Sequence, residues 1–137
     1  MARRRNLRRV VAPPGFKGYR PYGHSRHQQG AVELYYEEYE AIKLADYDSL
    51  NHLEASKIMG ISRATFARIY SQARQKIALA LVESREITTV FGYAFFDKSW
   101  YQCPVCHSKF TIPAQKEQAQ LICPLCGSKE IKILNIK

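Results

Sequence analysis

NHLEASKIMGISRATFARIYSQAR, residues Asn51 to Arg74, carries small, glycine and capping residues at the spacing of two helices joined by a tight turn. Ser56 lies four residues before Gly60, where a second helix crosses the first closely and only a small side chain fits. Gly60 permits the left-handed conformation that ends the first helix. Ser62 is a good N-cap because its side-chain oxygen accepts from the free amides of the next turn, so a second helix is expected from Arg63.

Phe66, Ile69, Tyr70, Ala73, Ile77, Ala80 and Leu81 recur at three- and four-residue intervals and form the expected buried side of that helix. Its opposite side presents Ala64, Ala67, Arg68, Ser71 and Gln75, with Arg63 and Thr65 toward the start. Small residues beside a few long donors suit a helix in the major groove of double-stranded DNA. There arginine bonds a guanine edge in bidentate fashion, and alanine or a threonine methyl touches a thymine methyl. Arg63, Ala64, Thr65, Ala67, Arg68 and Ser71 are therefore the candidate base-reading residues. Arg74 and Lys76 are candidates for phosphate contact, which positions a protein without reading sequence. The plainer alternative is a helical hairpin in an ordinary core with solvated arginines.

The 137-residue chain has a formal charge of +9, which points to a polyanionic partner. That charge is uneven. Residues 1–30 hold eight bases and no acid, residues 31–90 seven bases and nine acids, and residues 91–137 six bases and three acids. Arg3, Arg4, Arg5, Arg8 and Arg9 of the first segment are candidates for phosphate or minor-groove contact, as in the arms of homeodomains; the alternative is a nonspecific basic tail. Pro13, Pro14, Gly15, Gly18, Pro21, Gly23 and Gly30 leave this arm too broken and too polar to fold alone, so it is expected to be extended or disordered. Phe16, Tyr19 and Tyr22 are the residues able to pin it to the body, and His24 and His27 are read as loop residues.

No apolar run approaches the roughly 20 residues of a membrane span, and the arginine-rich start lacks the apolar stretch of a secretory signal, so a cytoplasmic protein is expected. Leu34 to Asp48, LYYEEYEAIKLADYD, shows a helical pattern with Leu34, Ala41, Ile42 and Ala45 in register and acids placed early. This is the expected supporting helix, with its tyrosines at the core or rim and its glutamates on a solvated face. No histidine, serine nucleophile or glycine-rich loop accompanies those glutamates, so no enzymatic role is expected.

Together, RRRNLRRVVAPP, YEAIKLAD and ASKIMGISRATFARIYSQARQKIALAL resemble an uncharacterised prokaryotic family of predicted DNA-binding proteins, over roughly residues 3–93. The helix-turn-helix of that family is similar to region four of sigma factors. The resemblance implies sequence-specific DNA binding and transcriptional regulation. Two positions depart from the family: Lys43 stands where arginine is usual and Ser56 where alanine is usual. The lysine lacks the planar fork needed for any bidentate contact.

Cys103-Pro-Val-Cys106 and Cys123-Pro-Leu-Cys126 form C-x2-C-x16-C-x2-C, a spacing that lets two tight knuckles set four thiolates around one ion. Ser99 to Gln102, Lys109 to Ile112 and Ile131 to Ile136 are the expected short strands of a zinc ribbon. Four cysteines leave no open position, so the site is read as structural. The first knuckle also looks like the start of a rubredoxin-type iron site; zinc is favoured over iron because His107 replaces the glycine common there. A thioredoxin-like pair is disfavoured because two pairs occur together without a βαβ pattern, and His107 is not needed as a ligand.

Ile87 to Phe96, ITTVFGYAFF, is expected to form a strand or hairpin joining the two modules. The resulting fold class is mainly α: a basic arm (1–30), a helix-turn-helix domain with a following β segment (31–96) and a small C-terminal β zinc ribbon (97–137). Because DNA-reading helices of this type often act in pairs on repeated half-sites, a homodimer is expected. The competing function classes are a rubredoxin-like electron-transfer protein with a helical adaptor, and an adaptor that contacts RNA polymerase or RNA.

Overall fold

The computed structural model describes residues 7–23, 29–111 and 122–134. Among these residues three helices are combined with three small sheets, so the chain is mixed α/β rather than mainly α. Strand β3 (Val32–Tyr35) leads into α1 (Tyr36–Ile42), which continues through a π-helical turn at Lys43–Tyr47. Then come α2 (His52–Met59), α3 (Arg63–Val82) and β4 (Ile87–Val90). Strands β3 and β4 pair in parallel, Val32 against Ile87 through Tyr35 against Val90, so all three helices lie in one crossover.

The α2–α3 hairpin follows its local signals. Asn51 caps α2 through its side chain, which accepts from the Glu54 N–H at 2.8 Å. Gly60 ends it at φ 67°, ψ 34°, a left-handed conformation that only glycine adopts at no steric cost. Ser62 then caps α3 by accepting from the Thr65 N–H at 3.1 Å. Ser56 is buried, with its hydroxyl donating to the Leu53 carbonyl at 2.8 Å, as the close helix crossing requires. Phe66, Ile69, Ala73 and Ala80 are buried, and Phe66 and Ile69 form one core cluster with Ala41, Leu44, Ala55 and Met59. The stripe fails at its end. Leu81, expected inside, is 74 % exposed, because the contacts of α1 and α2 cover the earlier turns of α3.

Leu34 lies in β3 rather than in a helix, buried alternately with Val32 while Glu33 and Tyr35 face outward. A helical period and a two-residue period agree over so short a stretch, and pairing with β4, more than fifty residues away, decides between them. The glutamates are a second correction: Glu37, Glu38 and Glu40 are buried, not solvated. Each carboxylate serves a backbone amide, of Tyr93, Tyr35 and Val11 respectively. Such side chains stand in for ladder partners where the backbone has none.

Burial pushes the Glu40 carboxyl above its ordinary range, against the Val11 N–H, which favours the charged form. A carboxyl raised on folding destabilises the native state once pH passes the unfolded value, and the penalty vanishes at lower pH where both states are protonated. Glu40→Gln, whose amide oxygen can still accept from Val11, should therefore raise Tm at pH 7 relative to wild type. The gain should disappear at pH 4, which paired thermal melts at the two values would show.

The arm is woven into the body. Strand β1 (Arg8–Arg9) pairs in parallel with β5 (Ala94–Phe95), and β2 (Gly18–Tyr19) pairs antiparallel with β4. A segment rich in proline and glycine can still add short strands to sheets the rest of the chain supplies. Val10 is fully buried with Tyr36, Ala94 and Phe96. Phe16 packs against Tyr19 and Tyr39, whereas Tyr22 is 97 % exposed and pins nothing. His24 and His27 lie outside the described residues. Strands β4 and β5 do not form a hairpin with one another; each joins a different sheet.

The third sheet has the order β7-β6-β8, all antiparallel, from β6 (Tyr101–Gln102), β7 (Lys109–Phe110) and β8 (Lys132–Ile133). These fall within the three expected runs; Ile112 and Ile136, at the ends of two of them, lie outside the described residues. Lys109 anchors this sheet to the arm, donating to the carbonyls of Pro14 at 2.7 Å and Phe16 at 2.9 Å, and burial pulls its ammonium down to about 8. Among the described residues, no helix is long and apolar enough to cross a membrane.

Candidate nucleic-acid interface and metal centre

Helix α3 holds four bases and no acid. Capped by Ser62, it turns Phe66, Ile69 and Ala73 inward, and this fixes what faces out. Arg63, Ala64, Arg68, Ser71, Gln72 and Gln75 are exposed, with Thr65 and Ala67 half-buried beside them. The Thr65 hydroxyl is engaged locally, accepting from Ser62 at 2.9 Å and from Arg68 at 3.2 Å, so these three side chains form one chain of hydrogen bonds on the outer face.

The predicted phosphate contacts divide. Arg74 is exposed, packs over the Tyr70 ring at 5.4 Å and approaches Asp46 at 3.9 Å. Lys76 is turned inward instead, bonding Glu38 at 2.7 Å and lying 4.1 Å over the Tyr35 ring. Arg9 is ion-paired with Asp97, and Arg8 lies over Tyr93. Arg3, Arg4 and Arg5 fall outside the described residues. Lys43 forms an ion pair with Asp48 at 2.9 Å.

Cys103, Cys106, Cys123 and Cys126 come together as the spacing predicts, their sulfurs all within 4.8 Å of one another. Two cross-knuckle pairs, Cys103–Cys126 and Cys106–Cys123, stand at 3.5 Å. Metal–sulfur bonds of about 2.3 Å in a tetrahedron place sulfurs about 3.8 Å apart, so the cluster has the size and donor set to hold one ion. Cys103 and Cys123 are buried, and Cys106 and Cys126 are exposed.

The two knuckles have the same internal bonds. The amides of Cys103 and Cys123 donate to the carbonyls of Ser108 and Ser128, and the amides of His107 and Gly127 donate back to Cys103 and Cys123. His107 therefore holds, at φ 65°, the left-handed position that Gly127 holds at 77°.

Sequence reasoning missed Ser108. Its hydroxyl lies 3.1 Å from Cys106 Sγ and 3.3 Å from Cys123 Sγ, linking the knuckles. This contact holds the Cys123 thiol down to about 6 and lowers that of Cys106, favouring the thiolates a metal needs. The signal was present in the near-repeat of CPVCHSK at 103–109 as CPLCGSK at 123–129.

Comparison with known proteins places this arrangement in a family. A family model described as protein of unknown function DUF134 matches residues 1–95. The UPF0251 protein of Chloroherpeton thalassium is 35 % identical over 136 residues, which are 99 % of this chain and 89 % of that relative. The UPF0251 protein of Methanothermobacter thermautotrophicus is 37 % identical over 98 % of this chain and 69 % of its own length, and that of Clostridium tetani 34 % over 96 % and 88 %. No solved structure matches. With a family model over more than half its length and relatives a third identical along nearly all of it, the chain belongs to the UPF0251/DUF134 family of uncharacterised proteins.

Proposed function

We propose that the chain is a sequence-specific double-stranded DNA-binding protein, a transcriptional regulator whose C-terminal sheet is held by one structural zinc ion. The observation that carries this reading is the outer face of α3, where Arg63, Ala64, Arg68 and Ser71 are exposed directly behind a left-handed Gly60 and a Ser62 cap. A helix-turn-helix offers its second helix to the major groove by its first turns, with arginine for guanine edges and small residues for close approach. An ordinary solvated helix face more often carries both signs of charge, and this one has no acid.

For the metal centre, four thiolates fill a tetrahedral set and leave no position for water, which makes the site structural. A rubredoxin-type iron centre has the same donors. One equivalent of zinc by elemental analysis with a colourless protein fits the proposal, while bound iron with visible thiolate charge-transfer bands would sink it.

Arg68→Ala should reduce the ratio of cognate to random-duplex affinity by about 5- to 150-fold, the roughly 1–3 kcal/mol of one bidentate base contact. Titrations of both duplexes at a single fixed salt concentration measure that ratio. An equal loss on both would make Arg68 a phosphate contact instead.

A further inference from the structure

Bounded by β1, the start of α1, the middle of α3 and the Phe91–Tyr93 connection is a cavity of about 350 Å3. Glu37 and Glu38 line it although they are only 5 % and 2 % exposed. One oxygen of each is engaged: Glu37 Oε2 accepts from the Tyr93 N–H at 2.9 Å, and Glu38 Oε1 from the Tyr35 N–H at 2.8 Å and from Lys76 at 2.7 Å. The other oxygens, Glu37 Oε1 and Glu38 Oε2, are buried without a hydrogen-bond partner among the described residues. So is Nε of Arg8, another residue of the cavity wall.

Buried polar atoms are ordinarily paired, so two acceptors and one donor left open around a single cavity specify what would fill it. The filling group must donate to the carboxylates and accept from the guanidinium. Formal charge restricts it further. Glu37 and Glu38 are balanced by Arg8 and Lys76, so a neutral zwitterion keeps the balance, while a lone amine, a lone acid or a metal dication upsets it. Ile69 and Phe91 add apolar wall for a side chain. At Gly92 a Cβ would lie 2.5 Å from Glu37 Oε1, so the glycine keeps open the space beside that oxygen.

We propose that this cavity binds a zwitterionic α-amino acid, its ammonium on Glu37 Oε1 and Glu38 Oε2 and its carboxylate on Arg8. Ile69 and Gln72 of α3 form part of the wall, so occupancy bears on the helix assigned to DNA. That consequence rests on the DNA-binding reading. Ligand binding itself does not, and it is measured without DNA.

The test is calorimetric titration of the metal-loaded full chain with each of the twenty amino acids, and with ethylamine, acetate and magnesium as partial ligands. At least one amino acid should bind saturably at one per chain, and the partial ligands at least 10-fold more weakly. Glu37→Gln, which puts an amide in place of the carboxylate, should weaken binding at least 10-fold with unchanged circular dichroism. Gly92→Ala should do the same by filling the space; if that variant misfolds, Glu37→Gln carries the test. The proposal is overturned if no amino acid binds, if ethylamine or magnesium binds as tightly, or if folded Glu37→Gln binds like wild type.

Discussion

Replacing Cys103 with serine, or stripping a bound metal with a chelator, is expected to unfold residues 97–111 and 122–134 while the helices persist. Among the described residues of this stretch the buried ones are Cys103 and Cys123 themselves, with Trp100 and Leu134 only partly buried against the Val10, Tyr36, Ala94 and Phe96 cluster, so little apolar burial remains once the thiolates are released. Each strand of its sheet is two residues long. Structural zinc contributes on the order of 10–16 kcal/mol to such modules, far more than strands of this length supply. The damage should also spread to the arm, because Lys109 donates to the Pro14 and Phe16 carbonyls. Limited proteolysis should cut within residues 7–23, 97–111 and 122–134 in the variant and spare them in the loaded protein, with the metal content falling in parallel. Retention of full protection after metal loss would mean that the sheet is held by something other than the cluster.

The second large effect is expected at Phe66. This ring is fully buried, stacks on Tyr70 at 5.9 Å and meets the His52 ring edge-on at 5.2 Å. It belongs to a core cluster drawn from α1, the π-helical turn, α2 and α3, so a cavity there has helices on several sides. Phe66→Ala should cost about 3–5 kcal/mol, a large part of the total stability of a domain this size. Chemical denaturation read by circular dichroism at 222 nm measures it. A cost below about 1 kcal/mol would show that α3 does not depend on this contact for its position. Leu81→Ala, at the exposed end of the same stripe, should change stability by less than about 0.5 kcal/mol.

These two sites also show what the sequence reveals. Gly60, Ser62, Phe66 and the cysteine knuckles were legible because each acts through neighbours a few residues away, by a cap, a turn or a helical period. The strand at Val32–Tyr35 was not, since its partner is β4 and the connection contains three helices. The pairing of the arm was not legible for the same reason: its strands exist only when β4 and β5 do. Glu37, Glu38 and Glu40 looked like a solvated face because the amides of Tyr93 and Val11 that donate to two of them are far away in sequence. Lys76 followed them inward, away from the phosphates it was expected to reach.

The face of α3 is the centre of the account, and selection of bound duplexes from a random pool tests it most directly. Enrichment of a defined sequence by the metal-loaded protein is expected, with loss of that enrichment at one or more positions in Arg68→Ala. A pool that returns no preferred sequence, or the same preference with and without Arg68, would contradict it.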